Sequence, residues 1–381
     1  MRVTMMVRCL AMMRGGGETR HLAWARELAA LGVDVEVITG APWLSGVVRH
    51  PVPGAATLRT PYLRDAVYRW QQTRGFGRVT SLALHVDEEW FCRAAWQHIA
   101  AERPQPDVVH AHALHQAARL RRGDMPVVIN LPGPPHARYA DDLRCADALI
   151  GDGWAVTELP AQLGRPVENV PKGVDAQRFT PHGDNVRAVL GLNDVPVIIA
   201  VGRLVPIKNV RLLIEAMPAI RAAIANATAL IVGEGPEHDR LQELARSLGV
   251  ADAVIFAGYV ANDDLGPYYR SADVFVLPSE FDNSPNVVLE AMSSGLPVVA
   301  TDVGGVAQYV EAGAGGTLVR RGDRGALSHA VISWLQSPEA RQCARRHNRA
   351  VVEKKYSWRA SAEALLDVYQ RVKEHRTRAI A

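Results

Sequence analysis

The chain has 381 residues, 48% hydrophobic and 22% charged, which is enough for two globular domains of about 100–200 residues each. Its 43 basic and 40 acidic residues leave a formal net charge of +3, which argues against the basic surface of a nucleic-acid-binding protein. The four cysteines include no C-x-x-C pair, so free thiols in a reducing cytoplasm are expected rather than a zinc site or a disulfide framework.

The first part of the sequence predicts a parallel α/β domain. Residues 2–9 predict a strand, glycines 15–17 a turn, residues 19–31 a helix and residues 33–39 a second strand. This order is typical of a βαβ unit. Residues 63–103 predict mostly helix, and further strands are predicted at residues 107–112, 126–130, 146–150 and 167–171.

A second, more regular series of strands and helices begins near residue 195. The two series indicate two doubly wound α/β domains, and such sheets bind ligands at the carboxyl ends of their strands. We therefore expect two facing sheets with a cleft between them, which suits a transferase with two substrates. The predicted strands are 197–202, 227–233, 254–257, 274–278 and 298–301, and the predicted helices are 210–222, 236–248, 263–271, 286–294 and 306–311.

Membrane and export signals are weak. No stretch reaches the ~18 apolar residues that a membrane helix needs. Arg8 and Arg14 interrupt the apolar N-terminal run, and no small-residue cleavage site follows it. We expect a cytoplasmic protein without stable membrane insertion.

Residues 278–292 are the most informative segment. Asn283 or Ser284 is suited to cap a helix, and Pro285 is suited to its first position. The free N–H groups and the dipole at a helix start favour an anion, so a diphosphate is a natural ligand here. Glu290 falls inside this helix beside its apolar face, although alone it equally fits a solvated helix residue.

Two cations, Arg203 and Lys208, flank a loop at the end of a predicted strand. This arrangement is typical of a phosphate clamp, in which arginine forks onto oxygens and lysine acts as a point charge. Taken alone, two solvated surface bases are the commoner explanation.

Three histidines, His110, His112 and His115, end the strand predicted at 107–112. His110 and His112 point to the same side of a strand, and no acidic residue follows closely to complete a metal site. We predict an active-site histidine rather than a metal ligand. The glycines at 15–17 miss the G-x-G-x-x-G spacing because Arg20 stands at its last position, which disfavours a nicotinamide oxidoreductase.

Taken together, these segments resemble the retaining glycosyltransferases of family 4 over nearly the whole chain. The resemblance implies the GT-B fold, with residues 1–178 as an acceptor-binding domain to which helix 361–381 returns, and residues 179–360 as a donor-binding domain. The motifs that carry it are the glycines 15–17, residues 107–112, 170–175 and 178–179, Gly202-Arg203, Lys208-Asn209, and residues 231–236, 282–290 and 295–301.

The family implies a nucleoside-diphosphate-sugar donor, retention at the anomeric carbon and no metal cofactor. Arg203 and Lys208 would bind the diphosphate and stabilise the leaving group, and Glu290 would hold the ribose. His112 would lie beside the donor sugar, and Asp282 would contact sugar hydroxyls where family members usually have Glu. The remaining implied donor residues are Gly16, Gly17, Gly233, Tyr259, Val260, Asn283, Ser284, Pro285, Asn286 and Val287.

Acceptor identity transfers less well from the family. Lys172 replaces the usual Asn and Pro132 replaces a frequent His, both on the expected acceptor side. Arg138 and Trp154 are the candidate acceptor residues.

We expect a UDP-sugar first and a GDP-sugar second, a small-molecule or glycan acceptor, and a front-face mechanism in which the departing phosphate takes the acceptor's proton. A nucleotide-sugar epimerase and a non-catalytic nucleotide-sugar binder are the alternatives. Donor conversion without an acceptor would favour the epimerase.

Overall fold

In the computed structural model, which describes residues 1–12, 16–42, 54–60, 78–133 and 135–380, the chain divides into two compact units. The first comprises Met1–Pro171 and Ser361–Ala381, and the second Lys172–Ala360. The first unit ends at Pro171, before the predicted boundary after residue 178, and Val174 packs in the apolar core of the second unit. The second boundary, after residue 360, coincides with the predicted one.

The first unit is built on seven parallel strands. They are β1 (Arg2–Met6), β2 (Asp34–Pro42), β3 (Ala56–Thr60), β4 (Val108–His112), β5 (Val127–Asn130), β6 (Ala148–Gly151) and β7 (Glu168–Asn169). They pair in the order β3-β2-β1-β4-β5-β6-β7. The helices described here are α1 (Gly16–Ala30), α2 (Arg78–Ala101), α3 (Ala140–Arg144) and α4 (Trp154–Leu163).

The central strands β1 and β4 of this sheet are buried over most of their length, as is typical of a parallel sheet covered by helices on both faces. Trp24 of α1 and Trp96 of α2 are fully buried against them. Helix α1 begins at Gly16, earlier than predicted, while Gly15 lies outside the described residues. Strand β3 was not predicted, since nearby prolines obscure its pattern. The helix predicted over 63–103 matches α2 only from Arg78, because residues 61–77 are not described.

The second unit contains six parallel strands in the order β10-β9-β8-β11-β12-β13. The strands are β8 (Val197–Val201), β9 (Thr228–Val232), β10 (Val254–Gly258), β11 (Val274–Leu277), β12 (Val298–Thr301) and β13 (Gly316–Val319). The helices are α5 (Val210–Ala223), α6 (His238–Ser247), α7 (Gly266–Arg270), α8 (Asn286–Ser293), α9 (Arg324–Gln336), α10 (Pro338–Lys355) and α11 (Trp358–Ile380).

Most of the predicted second series is present. The exception is the helix predicted at 306–311, where the chain forms only the short 3₁₀ turn Val306–Gln308. From Ser361 onward, α11 belongs to the first unit, where Leu365 and Tyr369 are fully buried. In the part of the chain that the structure describes, no helix is both long enough and apolar enough to cross a bilayer.

Asn348 ties α10 to the sheet of the second unit. Its side chain is 1% exposed, and its amide nitrogen donates to the carbonyl oxygens of Leu296 and Gly315 at 2.7 and 2.8 Å. Leu296 lies just before β12 and Gly315 just before β13, so one buried side chain bonds backbone groups at the starts of two paired strands. A buried carbonyl that loses its donor costs free energy.

We expect Asn348→Ala to lower the free energy of unfolding by about 2–3 kcal/mol, because two buried hydrogen bonds are lost. Urea unfolding followed by circular dichroism measures the change. The matched control is Asn226→Ala, an exposed side chain with one 3.4 Å bond to Asp194, for which a change within about 0.5 kcal/mol is expected. Equal effects of the two substitutions would contradict this role for Asn348.

Candidate active site

Each sheet has one point at which its strand order reverses. In the first unit the reversal lies between β1 and β4, and in the second between β8 and β11. Loops leaving two such strands diverge, which opens a ligand site at their carboxyl ends. His112 ends β4, Arg203 follows β8 and Asp282 follows β11. The predicted catalytic residues therefore lie at the reversal points of their own sheets.

A close backbone approach joins the loops after β8 and β9. Gly233 has φ +140°, and its N–H donates to the carbonyl of Gly258 at 2.7 Å. A Cβ on Gly233 would lie 1.9 Å from the carbonyl oxygen of Gly202, so only glycine fits there. Arg203 directly follows Gly202 in the chain. It is exposed, and its side chain has no hydrogen bond or ion pair among the described residues. Its guanidinium is thus available to an anionic ligand.

Lys208 and Asp282 form an ion pair between the loops that follow β8 and β11. Their side chains are 21% and 13% exposed. A second contact joins the same loops, because the amide of Asn209 donates to Glu280 at 2.6 Å. The structure therefore brings together a cation predicted for the diphosphate and a carboxylate predicted for the sugar.

The start of α8 differs in detail from the prediction. The helix begins at Asn286, and Pro285, the residue at its N-cap position, provides no capping side chain. Ser284 instead bonds through its hydroxyl to Tyr309 at 2.7 Å, and its carbonyl accepts from Lys172 Nζ at 2.7 Å. Pro285 is therefore the N-cap residue of this helix and not, as the sequence predicted, its first helical residue.

Lys172 was expected in the N-terminal domain, where acceptors are predicted to bind, but it lies in the second unit. It is the first residue of the second unit, is 8% exposed, and holds the loop before α8. Val287, with Asn286, forms the first turn of that helix. The ammonium of Lys172 therefore adds a positive charge beside the predicted anion site.

Glu290 is a buried carboxylate, 5% exposed, rather than a solvated helix residue. Tyr269 donates to its Oε2 at 2.8 Å and Asn262 to its Oε1 at 3.1 Å. Burial raises the pKa of Glu290 above its ordinary value, although these two hydrogen bonds and the charges of Lys172 and Arg178 act in the opposite direction. No sequence pattern pointed to Tyr269 or Asn262, since both reach Glu290 only through tertiary packing.

Tyr259 follows β10 and is 71% exposed. Its backbone N–H donates to Glu234 at 3.3 Å, and the half-buried Val260 comes next. An exposed ring at the carboxyl end of a strand offers a flat apolar face to a planar ligand.

His112 is half-buried in the first unit, and its Nδ1 lies 2.9 Å from Oδ1 of Asn130. The ring of His21 packs against it with centroids 4.2 Å apart. His110 is fully buried, with its Nδ1 2.6 Å from the hydroxyl of Tyr369 and its Nε2 3.1 Å from Nε2 of His21. Burial lowers the pKa of His110 to about 3, so this ring is neutral. Sequence reasoning missed His21, Asn130 and Tyr369.

The other predicted residues of the first unit are spread over separate elements. Gly16 and Gly17 are the first residues of α1. Arg138 is exposed in a 3₁₀ turn after β5, and Trp154 begins α4 and packs against the apolar core. Among the described residues, the side chains grouped closely enough to hold one metal ion are Glu36, His98 and Glu102, none of them predicted as a ligand.

Comparison with known proteins places the chain among glycosyltransferases. The family profile of glycosyl transferases group 1 matches residues 184–351. A D-inositol 3-phosphate glycosyltransferase of Salinispora tropica is 33% identical over 96% of this chain and 83% of its own length. A GDP-mannose-dependent alpha-(1-6)-phosphatidylinositol monomannoside mannosyltransferase of Mycolicibacterium smegmatis is 37% identical over 45% of this chain and 48% of its own length.

A solved structure supports the fold over the whole chain. The crystal structure of Anabaena HepE in complex with UDP superposes with a TM-score of 0.72, at 19% identity, over 97% of this chain and 100% of that one. The predicted GT-B fold, with two Rossmann-like domains, is therefore confirmed.

The buried Glu290 predicts a pH-dependent effect of Glu290→Gln. Because the pKa of the Glu290 carboxyl is raised in the folded state, the folded protein binds the carboxyl proton more tightly than the unfolded protein does. The contribution of Glu290 to the free energy of unfolding therefore falls as pH rises from about 4.5 through the raised pKa. Glutamine does not titrate. The unfolding free energy of the variant minus that of the parent should therefore increase with pH across that window and then level off.

Urea unfolding of both proteins at a series of pH values from about 4.5 upward measures this difference. The control is Glu243→Gln, a surface residue 71% exposed and paired with Arg246, for which the difference should stay nearly constant. A difference for Glu290→Gln that falls with rising pH would contradict the assignment.

Proposed function

Because the chain belongs to the glycosyl transferases group 1 family, we propose that this glycosyltransferase moves a hexosyl group from a nucleoside diphosphate sugar to a hydroxyl of a small acceptor. The transfer retains the configuration at the anomeric carbon and uses no metal ion. It takes place in the cytoplasm, which suits four cysteines that are all free thiols.

The observation that carries this proposal is the grouping of charge at the β8–β11 reversal point. The exposed Arg203, the Lys208–Asp282 pair and the N–H groups that begin α8 follow two adjacent strands of one sheet. A diphosphate bound there meets two cations and a helix start, each of which stabilises negative charge. In this role the cations do the work of a metal ion.

The other parts of the donor, namely the ribose, the base and the sugar, are assigned to residues around the diphosphate. Glu290, held by Tyr269 and Asn262, presents an acceptor for ribose hydroxyls, and the exposed ring of Tyr259 with Val260 covers the base. Gly233 leaves room for the backbone to approach the nucleotide. On the sugar side, Asp282 accepts from hydroxyls, and the backbone from Asn283 to Val287 lies beside the phosphates.

UDP is our first choice of nucleotide and GDP the second. The structure of Anabaena HepE contains UDP, while the name of the mycobacterial relative specifies GDP-mannose. The name of the Salinispora relative specifies D-inositol 3-phosphate, so a cyclitol or its phosphate is the first acceptor to test. Arg138 and Trp154 remain the candidate acceptor residues in the first unit.

The mechanism we propose relies on orientation and on charge stabilisation. This mechanism needs no covalent intermediate between the enzyme and the sugar. As the bond from the anomeric carbon to the phosphate oxygen breaks, negative charge grows on the diphosphate, and Arg203 and Lys208 stabilise it. The acceptor hydroxyl attacks from the same face and passes its proton to the departing phosphate oxygen, with His112 beside the sugar.

Removing either cation should slow transfer far more than it lowers stability. We expect Lys208→Ala and Arg203→Ala each to reduce kcat/KM by about 100-fold or more, equivalent to about 2.7 kcal/mol of transition-state stabilisation. The matched control is Arg211→Ala, a surface base on α5 paired with Glu215, which should leave kcat/KM unchanged. Near-normal kcat/KM in either cation variant would contradict the assignment of that cation to diphosphate binding.

A thermal-shift panel of UDP, GDP, ADP and dTDP tests the donor. The nucleotide that binds the folded state should raise its stability by about 2.7 kcal/mol at 100 times Kd, and we expect UDP to give the largest shift. The panel is repeated with EDTA, which should not reduce the shift. Transfer is then assayed with sugars of the best nucleotide by NMR of the product, whose anomeric configuration should match the donor's. Inversion, or loss of activity in EDTA, would contradict the proposed mechanism.

A further inference from the structure

The hydrogen bonds of Glu290 continue outward through Asn262 to Arg178. These residues and Tyr269 all belong to the second unit. Asn262 opens the 3₁₀ turn Asn262–Asp264, which follows β10 in the chain. The carboxylate of Glu290 is buried, whereas Asn262 and Arg178 are exposed. The group therefore links a buried carboxylate to the protein surface.

The orientation of the Asn262 amide follows from its two partners. Nη1 of Arg178 donates to its Oδ1 at 2.9 Å, and its Nδ2 donates to Oε1 of Glu290 at 3.1 Å. A guanidinium only donates hydrogen bonds, and an ionised carboxylate only accepts them. A 180° turn of the amide would set two donors against each other at one end and two acceptors at the other. One orientation of Asn262 therefore satisfies both partners.

Arg178 is itself held by acidic neighbours. Its Nη1, which carries two N–H groups, also lies 2.6 Å from Oδ1 of Asp263, and its Nη2 lies 3.9 Å from Oδ2 of Asp175. The backbone N–H of Arg178 donates to Oδ1 of Asp175 at 3.0 Å. The guanidinium is thus fixed both to its own segment and to the turn that carries Asn262.

Each carboxylate oxygen of Glu290 has one donor. The hydroxyl of Tyr269 donates to Oε2 at 2.8 Å and the amide of Asn262 to Oε1, and these are the hydrogen bonds to this carboxylate within the described part of the chain. A carboxylate has about four acceptor positions, two on each oxygen. One position on each oxygen is therefore left, and such a pair matches the two hydroxyls of a vicinal diol.

The place of Asn262 in the chain connects two parts of the proposed donor site. Tyr259 and Val260, which are assigned to the base, precede it in the same loop. Glu290 lies in α8, whose first N–H groups are assigned to the diphosphate. In a nucleoside diphosphate the ribose joins the base to the diphosphate. The bond from Asn262 to Glu290 therefore links the two segments between which the ribose would lie.

We propose that Asn262, oriented by Arg178, is a positioning residue that holds the carboxylate of Glu290 for the two hydroxyls of the donor's ribose. Its consequence is a preference for ribonucleotides over their dideoxy forms that depends on Asn262. This inference rests on the proposed function for the presence of the nucleotide. The effect of Asn262 on the Glu290 carboxyl is measured without any ligand.

The first test compares the binding of UDP and 2′,3′-dideoxy-UDP by isothermal titration calorimetry; GDP and its dideoxy form are used if GDP gives the larger thermal shift. We expect Asn262→Ala to raise the Kd of UDP about tenfold and that of dideoxy-UDP less than about twofold, because only UDP carries the hydroxyls. The control is Asn226→Ala, another exposed asparagine, which should leave both Kd values unchanged. Equal increases for both nucleotides in Asn262→Ala overturn the proposal.

Asn262→Asp separates the donor of this side chain from its shape. Aspartate keeps an oxygen for Arg178 but replaces the N–H donor with an oxygen that faces Oε1 of Glu290. We expect Asn262→Asp to raise the Kd of UDP at least as much as Asn262→Ala does, because the two carboxylates repel each other. A Kd for UDP within about twofold of the parent's in Asn262→Asp overturns the proposal.

Arg178→Ala tests the outer bond. We expect it to raise the Kd of UDP about threefold in the parent and less than about 1.5-fold in the Asn262→Ala background, because Arg178 acts through Asn262. The control is Arg221→Ala, a surface arginine paired with Asp252, which should leave the Kd unchanged. Equal effects of Arg178→Ala in both backgrounds overturn the orienting role of Arg178.

A titration of the ligand-free chain tests the inner bond without a nucleotide. ¹³C NMR of the glutamate carboxyls, with Glu290→Gln to assign the signal, follows the pKa of Glu290. The hydrogen bonds from Tyr269 and Asn262 and the charges of Lys172 and Arg178 lower this pKa, against the effect of burial. Loss of the Asn262 donor should therefore raise the pKa further in Asn262→Ala and in Asn262→Asp. An unchanged pKa in both variants overturns the proposal.

The two measurements separate this inference from the proposed function. If no nucleotide of the panel binds but the pKa of Glu290 rises in both Asn262 variants, the proposed function fails and the positioning of Glu290 stands. If sugar transfer is observed and the parent prefers UDP to its dideoxy form, but both Asn262 variants bind UDP as the parent does, the function stands and this inference fails.

Discussion

Both units start at a central strand, add two strands on one side and then cross to the other side. β1 is followed by β2 and β3, after which β4 pairs with the free edge of β1; β8, β9, β10 and β11 repeat this order. Parallel crossovers are right-handed, so the change of side sends consecutive connections to opposite faces of the sheet. The two central strands are then left with diverging loops at their carboxyl ends. Every catalytic residue proposed for this protein lies at one of these two points.

In the second unit, charged side chains lie at the reversal point between β8 and β11. A lysine and an aspartate from the two diverging loops neutralise each other, while a nearby arginine stays exposed. The carboxylate of Glu290 lies deeper, where burial disfavours its charge and two hydrogen bonds favour it. A bound diphosphate would draw Lys208 toward its oxygens and leave Asp282 to sugar hydroxyls. In the proposed function, the diphosphate would thus compete with Asp282 for Lys208, and sugar hydroxyls would supply Asp282 with hydrogen bonds in place of its ion pair.

At the reversal point of the first unit, β4 ends in histidines, where the second unit has the Lys208–Asp282 pair. Their partners are a tyrosine hydroxyl, an amide oxygen and other imidazoles. Burial keeps the His110 ring uncharged, so its hydrogen bonds are those of a neutral imidazole. Because Tyr369 belongs to α11, the end of the chain supports the orientation of residues on the first helix and the fourth strand.

The sequence alone determined the fold class, the two α/β units and most strands of the second unit, because apolar runs alternating with helical periods are local signals. It also proposed Arg203, Lys208, Asp282 and Glu290 as site residues, since their motifs are local in the chain and resemble those of a known family. Nearby prolines obscured the pattern of β3, and the packing of Val174 in the core of the second unit places the first boundary nearer the N-terminus than predicted.

Only the tertiary structure decided which side chains meet. The partners of Glu290, the pairing of Lys208 with Asp282, and the place of Lys172 beside Ser284 all join residues far apart in the chain. The same holds for Asn130 opposite His112, which follows from strand register, and for Tyr369 against His110. Hydrogen bonds between distant residues leave no periodic trace in a sequence, because they depend on how the elements pack and not on the residues that flank them.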